Sequence, residues 1–196
     1  MPRSGSDARA KLVIGAADML RRRGFAAASV REVAKRSGAP LGSTYHYFPE
    51  GKAELAAEAV RLADRITVQM LTDSLAEGPV RGLAAFVDTW RMILVDSDFE
   101  AGCPVVAVAV DASPDAAAPR AAAATAFEGW AGRIADALAD AGVAATEART
   151  LAALIVTSVE GAVVVCRATR STATLDDVGV ALDRVVAAAL RDSPNE

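Results

Sequence analysis

Apolar residues recur every three or four positions along most of the chain, and this spacing predicts helices almost throughout. The segments that carry the pattern are 8–23, 30–37, 41–47, 52–75, 80–95, 105–110, 114–141, 146–169 and 175–191. Gly or Pro stands between many of them, where either residue ends a helix. The pattern therefore predicts an all-α fold of about nine helices.

One of these segments is ambiguous by periodicity alone. Residues 105–110 form a continuous apolar run that fits a short buried strand or a short buried helix. The preceding Cys103-Pro104 places a proline where the first turn of a helix tolerates it. With helices predicted on both sides, a buried helix is favoured.

The charges are unevenly distributed. The chain has 196 residues and a formal net charge of −4, but residues 1–55 carry +5 and residues 56–196 carry −9. A basic N-terminal part on an acidic body suits a local contact with a polyanion such as DNA. No signal sequence and no run of 18 apolar residues is visible, so we expect a soluble cytoplasmic protein that does not enter a membrane.

Several chemical functions find no support in the sequence. The two cysteines, Cys103 and Cys166, are far apart and are expected to be reduced thiols, with no metal site and no cofactor. The chain contains no GxSxG motif, no Walker motif and no spacing typical of metal ligands. Its one histidine, His46, lies in the helical segment 41–47, which contains no catalytic motif. An enzyme is therefore not expected.

The most informative stretch is residues 29–55, SVREVAKRSGAPLGSTYHYFPEGKAEL. Ser29 followed by Glu32 has the spacing of a capping box, which predicts the start of a helix. Gly38-Ala39-Pro40 predicts a turn, and a second short helix follows from Leu41 to Tyr47. That helix is rich in hydrogen-bonding side chains, as required of a helix that enters the major groove of DNA.

Residues 8–60 resemble the DNA-binding part of the tetracycline-repressor (TetR-type) family of bacterial transcription regulators. The resemblance implies a three-helix helix-turn-helix domain over residues 1–52 and a helical effector-binding and dimerisation domain over residues 53–196. The turn of residues 48–52 and the segment Gly102–Val105 are similar to the LmrA/YxaF-like branch. Thr44 stands where the family usually has Leu or Ile, and Pro40 replaces a frequent Ser. The DNA-contacting positions that the resemblance implies are Ser29, Arg31, Leu41, Gly42, Ser43, Tyr45, His46, Tyr47 and Lys52.

One recognition helix reads too few base pairs for specificity, so a two-fold homodimer on double-stranded operator DNA is expected. The segment 146–169 is apolar nearly all round and must be covered on more than one side. It could pair with residues 175–191 and their copies in a four-helix bundle. The residues expected at this interface are Ile155, Val159, Val163, Val178, Leu182 and Val185.

The larger domain is also expected to bind a small hydrophobic effector. The residues expected to line its pocket are Phe86, Trp90, Phe127, Trp130 and Cys103, although each aromatic residue taken singly also fits an ordinary core. The function predicted is a dimeric repressor that the effector releases from its operator. The alternative is a regulator whose body answers to a protein partner or to oxidation of Cys103 or Cys166.

Overall fold

Nine α-helices and one short 3-10 turn make up the part of the chain that the structure describes. The structure is a computed structural model that describes residues 3–192, apart from the side chains of residues 3–6, Ser43 and Asp192. The helices are α1 (Arg3–Ala27), α2 (Val30–Arg36), α3 (Leu41–Tyr47), α4 (Lys52–Leu75), α5 (Pro79–Asp96), α6 (Pro104–Ala109), α7 (Ala117–Asp140), α8 (Ala145–Thr169) and α9 (Ala173–Asp192). The 3-10 turn Pro114–Ala116 precedes α7. The predicted all-α fold is confirmed.

Helix ends agree with the sequence pattern at most positions. Gly24 leaves helical geometry, with φ 76° and ψ 177°, so α1 breaks where the glycine predicted its end. The helix is longer than predicted because helical backbone extends before residue 8 and resumes briefly after Gly24. The ambiguous apolar run is a helix, α6, which buries Val105 and Val108.

The chain divides into two compact units. Unit 1 contains residues 1–65 and 103–126, and unit 2 contains residues 66–102 and 127–196. This division differs from the expected boundary at residue 52, because α6 packs against α1 and brings a segment from the middle of the chain into unit 1. Helices α4 and α7 each begin in unit 1 and end in unit 2.

Unit 1 has a small apolar core with charged side chains around it. The core includes Leu12, Met19, Phe25, Val33 and Phe48, all nearly inaccessible to solvent. Arg9 of α1 forms an ion pair with Glu58 of α4 at 2.8 Å, and its guanidinium lies 5.1 Å from the centre of the Phe48 ring. A hydrogen bond from Arg9 lowers the pKa of Glu58 against the opposing effect of partial burial, and Arg61 adds to the lowering.

Unit 2 is built from α5, α8 and α9, which pack against one another, together with the ends of α4 and α7. Its interior is apolar, and its polar ties lie near the surface, such as the ion pair between Arg91 of α5 and Asp176 of α9 at 2.7 Å. Near the end of α8, Arg167 donates a hydrogen bond to the carbonyl oxygen of Glu100 at 2.9 Å.

Gly102 packs directly against that arginine. A Cβ atom at residue 102 would lie 2.7 Å from Cδ of Arg167, which is closer than real contacts allow. The glycine that opens the segment Gly102–Val105 thus leaves room for the Arg167 side chain, which would have to shift if residue 102 carried a Cβ atom.

Helix α8 is long and apolar enough to cross a membrane when judged only by length and composition. Half of its most apolar window is nevertheless buried inside unit 2, as in the core helix of a soluble protein. The rest of α8 is half-buried or exposed, and its exposed residues include Leu154, Val164 and Val165.

Candidate nucleic-acid interface

The first helix of the predicted helix-turn-helix begins at a side-chain cap. Ser29 has extended backbone angles, and its hydroxyl accepts a hydrogen bond from the backbone N–H of Glu32 at 3.2 Å. This satisfies one of the amide groups left over at a helix start. The N–H of Ser29 donates to the carbonyl oxygen of Ala27 at 2.9 Å, so the reciprocal half of the predicted capping box is not formed. Ser29 thus holds the start of α2.

The turn between α2 and α3 depends on Gly38. Its φ of 64° lies in the left-handed region that favours glycine. The following N–H, of Ala39, donates to the carbonyl oxygen of Ala34 at 2.9 Å and closes α2. Pro40 then precedes α3 without a side-chain cap, so tertiary packing has to hold this short helix in place.

Thr44 provides much of that packing. Its side chain is completely buried, and its hydroxyl donates to the carbonyl oxygen of Pro40 at 3.5 Å. The polar atom is therefore turned back onto its own helix, while the methyl group fills the position where an aliphatic side chain is usual in the family. Phe48, directly after α3, is also completely buried.

The opposite face of α3 is open to solvent. Tyr45 is 54% exposed and Leu41 is 37% exposed. Gly42 and His46 are also exposed, and no atom lies within 4 Å of the place where a Cβ of Gly42 would be. Tyr47 is half-buried, and its ring meets the His46 ring edge-on at 5.3 Å. The side chain of Ser43 lies outside the described residues. Four of the nine residues predicted to meet DNA thus stand exposed on α3.

Some of the arginines of α1 and α2 form ion pairs within unit 1. Asp18 of α1 binds Arg21 at 2.9 Å, Arg22 at 3.0 Å and Arg36 of α2 at 3.0 Å. Partial burial raises the pKa of Asp18, but hydrogen bonds from Arg22 and Arg21 outweigh it and lower the pKa overall. Arg36 therefore ties α2 to α1 through Asp18, which the spacing of residues in the sequence did not reveal.

Two other cations of α2 are open to solvent. Arg31 and Lys35 of α2 are exposed and form no ion pair with the described side chains. Lys35 was missed by sequence reasoning, and its only signal was its place on the polar side of α2.

Lys52, predicted to hold a phosphate, has contacts of its own. Its ammonium donates to the carbonyl oxygen of Ala26 at 3.3 Å and lies 4.0 Å from the centre of the Phe25 ring. Such contacts between a cation, an aromatic face and a helix end stabilise the packing of α4 on α1. Its contact with DNA stays a prediction.

The residues predicted for the effector pocket are divided between the two units. Phe86, Trp90 and Trp130 are buried in unit 2, where Phe127 meets Trp130 edge-on at 5.3 Å. Phe86 and Trp130 line one small cavity. Cys103 belongs to unit 1, where it is buried at the start of α6.

Sequence reasoning missed a carboxylate in the wall of that cavity, Glu160 of α8. Glu160 is only 7% exposed. A glutamate inside the most apolar helix of the chain was the available signal.

Four of the six residues expected at the dimer interface are covered by other residues of the same chain. Ile155, Val159, Val163 and Leu182 are at most 4% exposed because they face the interior of unit 2. Val178 is half-buried, and Val185 is 39% exposed. The exposed apolar residues of α8 are their neighbours Leu154, Val164 and Val165. Because α8 is apolar nearly all round, its sequence pattern did not distinguish the inner face from the outer one.

The capped helix, the glycine turn and the exposed helix α3 together define a helix-turn-helix DNA-binding protein. Residues 12–59 match the family of bacterial regulatory proteins, tetR family, and residues 79–181 match the family of transcriptional regulator LmrA/YxaF-like C-terminal domains. The chain belongs to the TetR family of transcriptional regulators, in its LmrA/YxaF-like branch.

Known relatives agree with this assignment. The chain is 37% identical over 173 residues to an uncharacterized HTH-type transcriptional regulator of Mycobacterium tuberculosis, covering 86% of this chain and 88% of that protein. It is 31% identical over 162 residues to YxaF of Bacillus subtilis, covering 82% and 85%. The crystal structure of regulatory protein TetR from Rhodobacter sphaeroides has the same fold, with a TM-score of 0.80 and 24% identity over 90% of this chain and 97% of that one.

Proposed function

We propose that this transcriptional regulator is a cytoplasmic homodimeric repressor that binds operator DNA through α2 and α3 and is released by a small hydrophobic effector. The observation that carries the proposal is the free face of α3, where Leu41, Gly42 and Tyr45 stand exposed, together with the exposed Arg31 of α2. A short helix with an open, uncharged face and a cation beside it suits base edges and phosphates in a major groove.

The exposed apolar side of α8 supports the dimer. Five of its exposed positions are spaced alternately by three and four residues: Leu154, Thr157, Gly161, Val164 and Ala168. This spacing forms a straight seam along a helix, and side chains at such positions interlock with those of a second helix. Val180 and Val185 of α9, 53% and 39% exposed, would extend the apolar surface.

Effector release requires that the ligand bind the DNA-free geometry better than the DNA-bound one. Unit 2 contains apolar cavities lined by Phe86 and its neighbours, and α4 and α7 run from unit 2 into unit 1. A ligand inside unit 2 could therefore change the positions of both helices. Regulation by oxidation is less favoured, because Cys103 and Cys166 are both buried and so poorly accessible to oxidants.

The experiment is a titration of a fluorescent duplex from the DNA upstream of this chain's own gene. Removing the exposed ring in Tyr45→Ala should weaken binding by about tenfold or more. The matched control is Ile66→Ala, which removes an exposed apolar side chain far along α4 and should leave affinity unchanged. Equal affinities of wild type and Tyr45→Ala on every tested duplex would contradict the proposed reading face.

A further inference from the structure

The chain passes between its two units at three points. Two of them, at residues 65–66 and 126–127, lie inside the continuous helices α4 and α7. The third is the peptide bond from Gly102 to Cys103, in the loop of residues 97–103 between α5 and α6. A helix holds its own backbone by internal hydrogen bonds, whereas a loop is held by other partners. The contacts of this loop therefore determine how firmly the start of α6 is held.

The loop contains backbone that is costly to hold. Asp98 and Phe99 have φ values of 52° and 59°, in the left-handed region that residues other than glycine resist. Such angles persist only where the surrounding structure enforces them, and they are frequent in switch regions. The N–H of Phe99 donates to the carbonyl oxygen of Leu94 at 2.7 Å, and the N–H of Ala101 donates to the hydroxyl of Ser97 at 3.1 Å. These bonds tie the loop to the end of α5.

The last part of the loop is also held by the end of α8. The half-buried Arg167 donates a hydrogen bond to the carbonyl oxygen of Glu100 at 2.9 Å. The same side chain fills the space beside Gly102, since a Cβ atom there would lie 2.7 Å from its Cδ and 2.9 Å from its Nη1. Arg170, the residue after α8, forms an ion pair with Asp98 at 2.7 Å. That pair is exposed and contributes little, so Arg167 is the main support from α8.

The residues after Gly102 belong to unit 1. Helix α6 packs against α1, and α1 also packs against α2 and α3. Beyond α6, Arg120 of α7 donates to the carbonyl oxygens of Asp111 at 2.6 Å and Ser113 at 3.1 Å. Unit 1 thus holds α6 and the segment that follows it. A displacement of the loop at Gly102 is therefore passed to α6 and, through α1, to the helices of the predicted DNA contact.

Arg167 also stands next to the exposed apolar face of α8. Val164, one turn earlier, is 50% exposed, and the adjacent Ala168 is exposed; both belong to the seam proposed for the dimer. One turn of α8 therefore carries the proposed contact with a second copy and the support of the loop. We propose that Arg167 is a positioning residue for operator binding, which makes the spacing of the two α3 helices depend on the dimer seam by fixing the loop before α6 to α8. The inference rests on the proposed dimeric binding of operator DNA.

The test compares two duplexes: the inverted repeat that the full chain selects from random double-stranded DNA, and the same repeat with one half-site scrambled. The ratio of the two affinities measures how well two reading helices bind together. Arg167→Ala should lower this ratio about tenfold and change binding to the single half-site by less than about threefold. Sedimentation velocity should still show a dimer. A residue that only stabilises the fold changes the unfolding transition and leaves this ratio unchanged in the folded protein.

Gly102→Ala tests the contact without removing the arginine. The backbone of Gly102 lies outside the left-handed region, so alanine fits it, but the added methyl group takes the space of the Arg167 side chain. The ratio should therefore fall as it does in Arg167→Ala, and this result stays decisive if Arg167→Ala does not fold. In the double variant the methyl group meets no arginine, so Gly102→Ala should add less than about twofold. The matched control is Arg149→Ala, which removes an exposed arginine near the start of α8 and should change nothing.

The contrary results are separable. If Arg167→Ala and Gly102→Ala keep the wild-type ratio, the inference is overturned while the dimeric reading of DNA stands. If the effects of the two substitutions multiply in the double variant, their contact is not the cause, and the inference is overturned. If Arg167→Ala sediments as a monomer, Arg167 acts on the seam instead of the loop, which also overturns it. If the wild type selects no inverted repeat, the proposed dimeric binding is contradicted and the inference is lost with it.

Discussion

The segment α2–α3 and the helix α8 differ in how far individual side chains determine their structure. In α2–α3, each important side chain has an individual contact: Ser29 caps a helix, Gly38 makes a turn and Thr44 packs beneath the free face. In α8, apolar side chains surround the helix, and only tertiary packing decides which of them are inside. Specific chemistry identifies residues one at a time, whereas an apolar pattern identifies only a helix that must be covered.

The largest effect should come from breaking the outer face of α8. Val164→Asp would bury a charge at the seam of the proposed dimer, so the dimer should dissociate. Operator affinity should then fall by about 100-fold or more, because each protein would bind one half-site instead of two linked half-sites. Sedimentation velocity and operator titration measure the two effects. The matched control is Val110→Asp on the exposed end of α6, where valine is 77% exposed. A dimeric Val164→Asp protein with normal affinity would contradict the proposed seam.

The adjacent residue should give a different result. Val163 is 1% exposed inside unit 2, so Val163→Ala leaves a cavity and should lower the free energy of unfolding by about 1–3 kcal/mol. Val164→Ala should change the stability of the monomer much less, because its side chain is half exposed. Chemical denaturation of the two alanine variants at low protein concentration measures the difference. Equal losses would mean that the inner and outer faces of α8 are not distinguished as described.

A smaller effect is expected in unit 1 at Asp18. Asp18→Asn removes the charge that holds Arg21, Arg22 and Arg36, and should lower the free energy of unfolding by about 1–2 kcal/mol because the pairs are partly exposed. The pKa of Asp18 is lowered in the folded protein, so its contribution is fully present above the unfolded pKa of about 3.9. The contribution is lost as the pH falls through the folded value.

Denaturation between neutral and acidic pH checks this expectation. The difference in stability between wild type and Asp18→Asn should be constant near neutral pH and should shrink on acidification below about pH 4. A difference that grows as the pH falls would show that the lowered pKa of Asp18 is not the source of the stability.

The smallest effects should separate DNA contact from internal support. Arg31→Ala should weaken operator binding and reduce the salt slope by about one, with unfolding unchanged, because Arg31 is exposed and has no ion-pair partner among the described residues. Lys52→Ala should lower the free energy of unfolding by about 0.5–1 kcal/mol, since it removes the contacts with Phe25 and Ala26. Thermal unfolding and salt-dependent titration of both variants distinguish the roles. A salt slope that also falls in Lys52→Ala would support the predicted phosphate contact.

Much of the fold could be predicted from the sequence, and the helices α3 and α6 show the physical reasons. Helix α3 begins and ends at the predicted residues because proline and glycine turns enclose it. The helical state of residues 105–110 required the surrounding helices, and the membership of α6 in unit 1 required its packing on α1. The polar contacts of Asp18 and Lys52 could not be predicted, because they join residues whose distance in space depends on the packing of separate helices.

The residues of the candidate sites also divide into those that the sequence could predict and those that it could not. Tyr45 and Leu41 are exposed where the motif placed them, because their neighbours Thr44 and Phe48 fill the core. The inward positions of Ile155 and Val163 could not be predicted, because every side of α8 offers apolar residues. Glu160 was overlooked because one carboxylate does not alter an apolar helical pattern, although its side chain is only 7% exposed.

The central claim is that two copies of α3 read operator DNA together. It is tested most directly by selecting binding sites for the full chain from a pool of random double-stranded DNA. The account predicts enrichment of an inverted repeat whose two half-sites lie about one helical turn, or a small multiple of it, apart. It also predicts that Tyr45→Ala loses the enrichment. Enrichment of a single unpaired half-site, or of the same sequences by Tyr45→Ala, would contradict the claim.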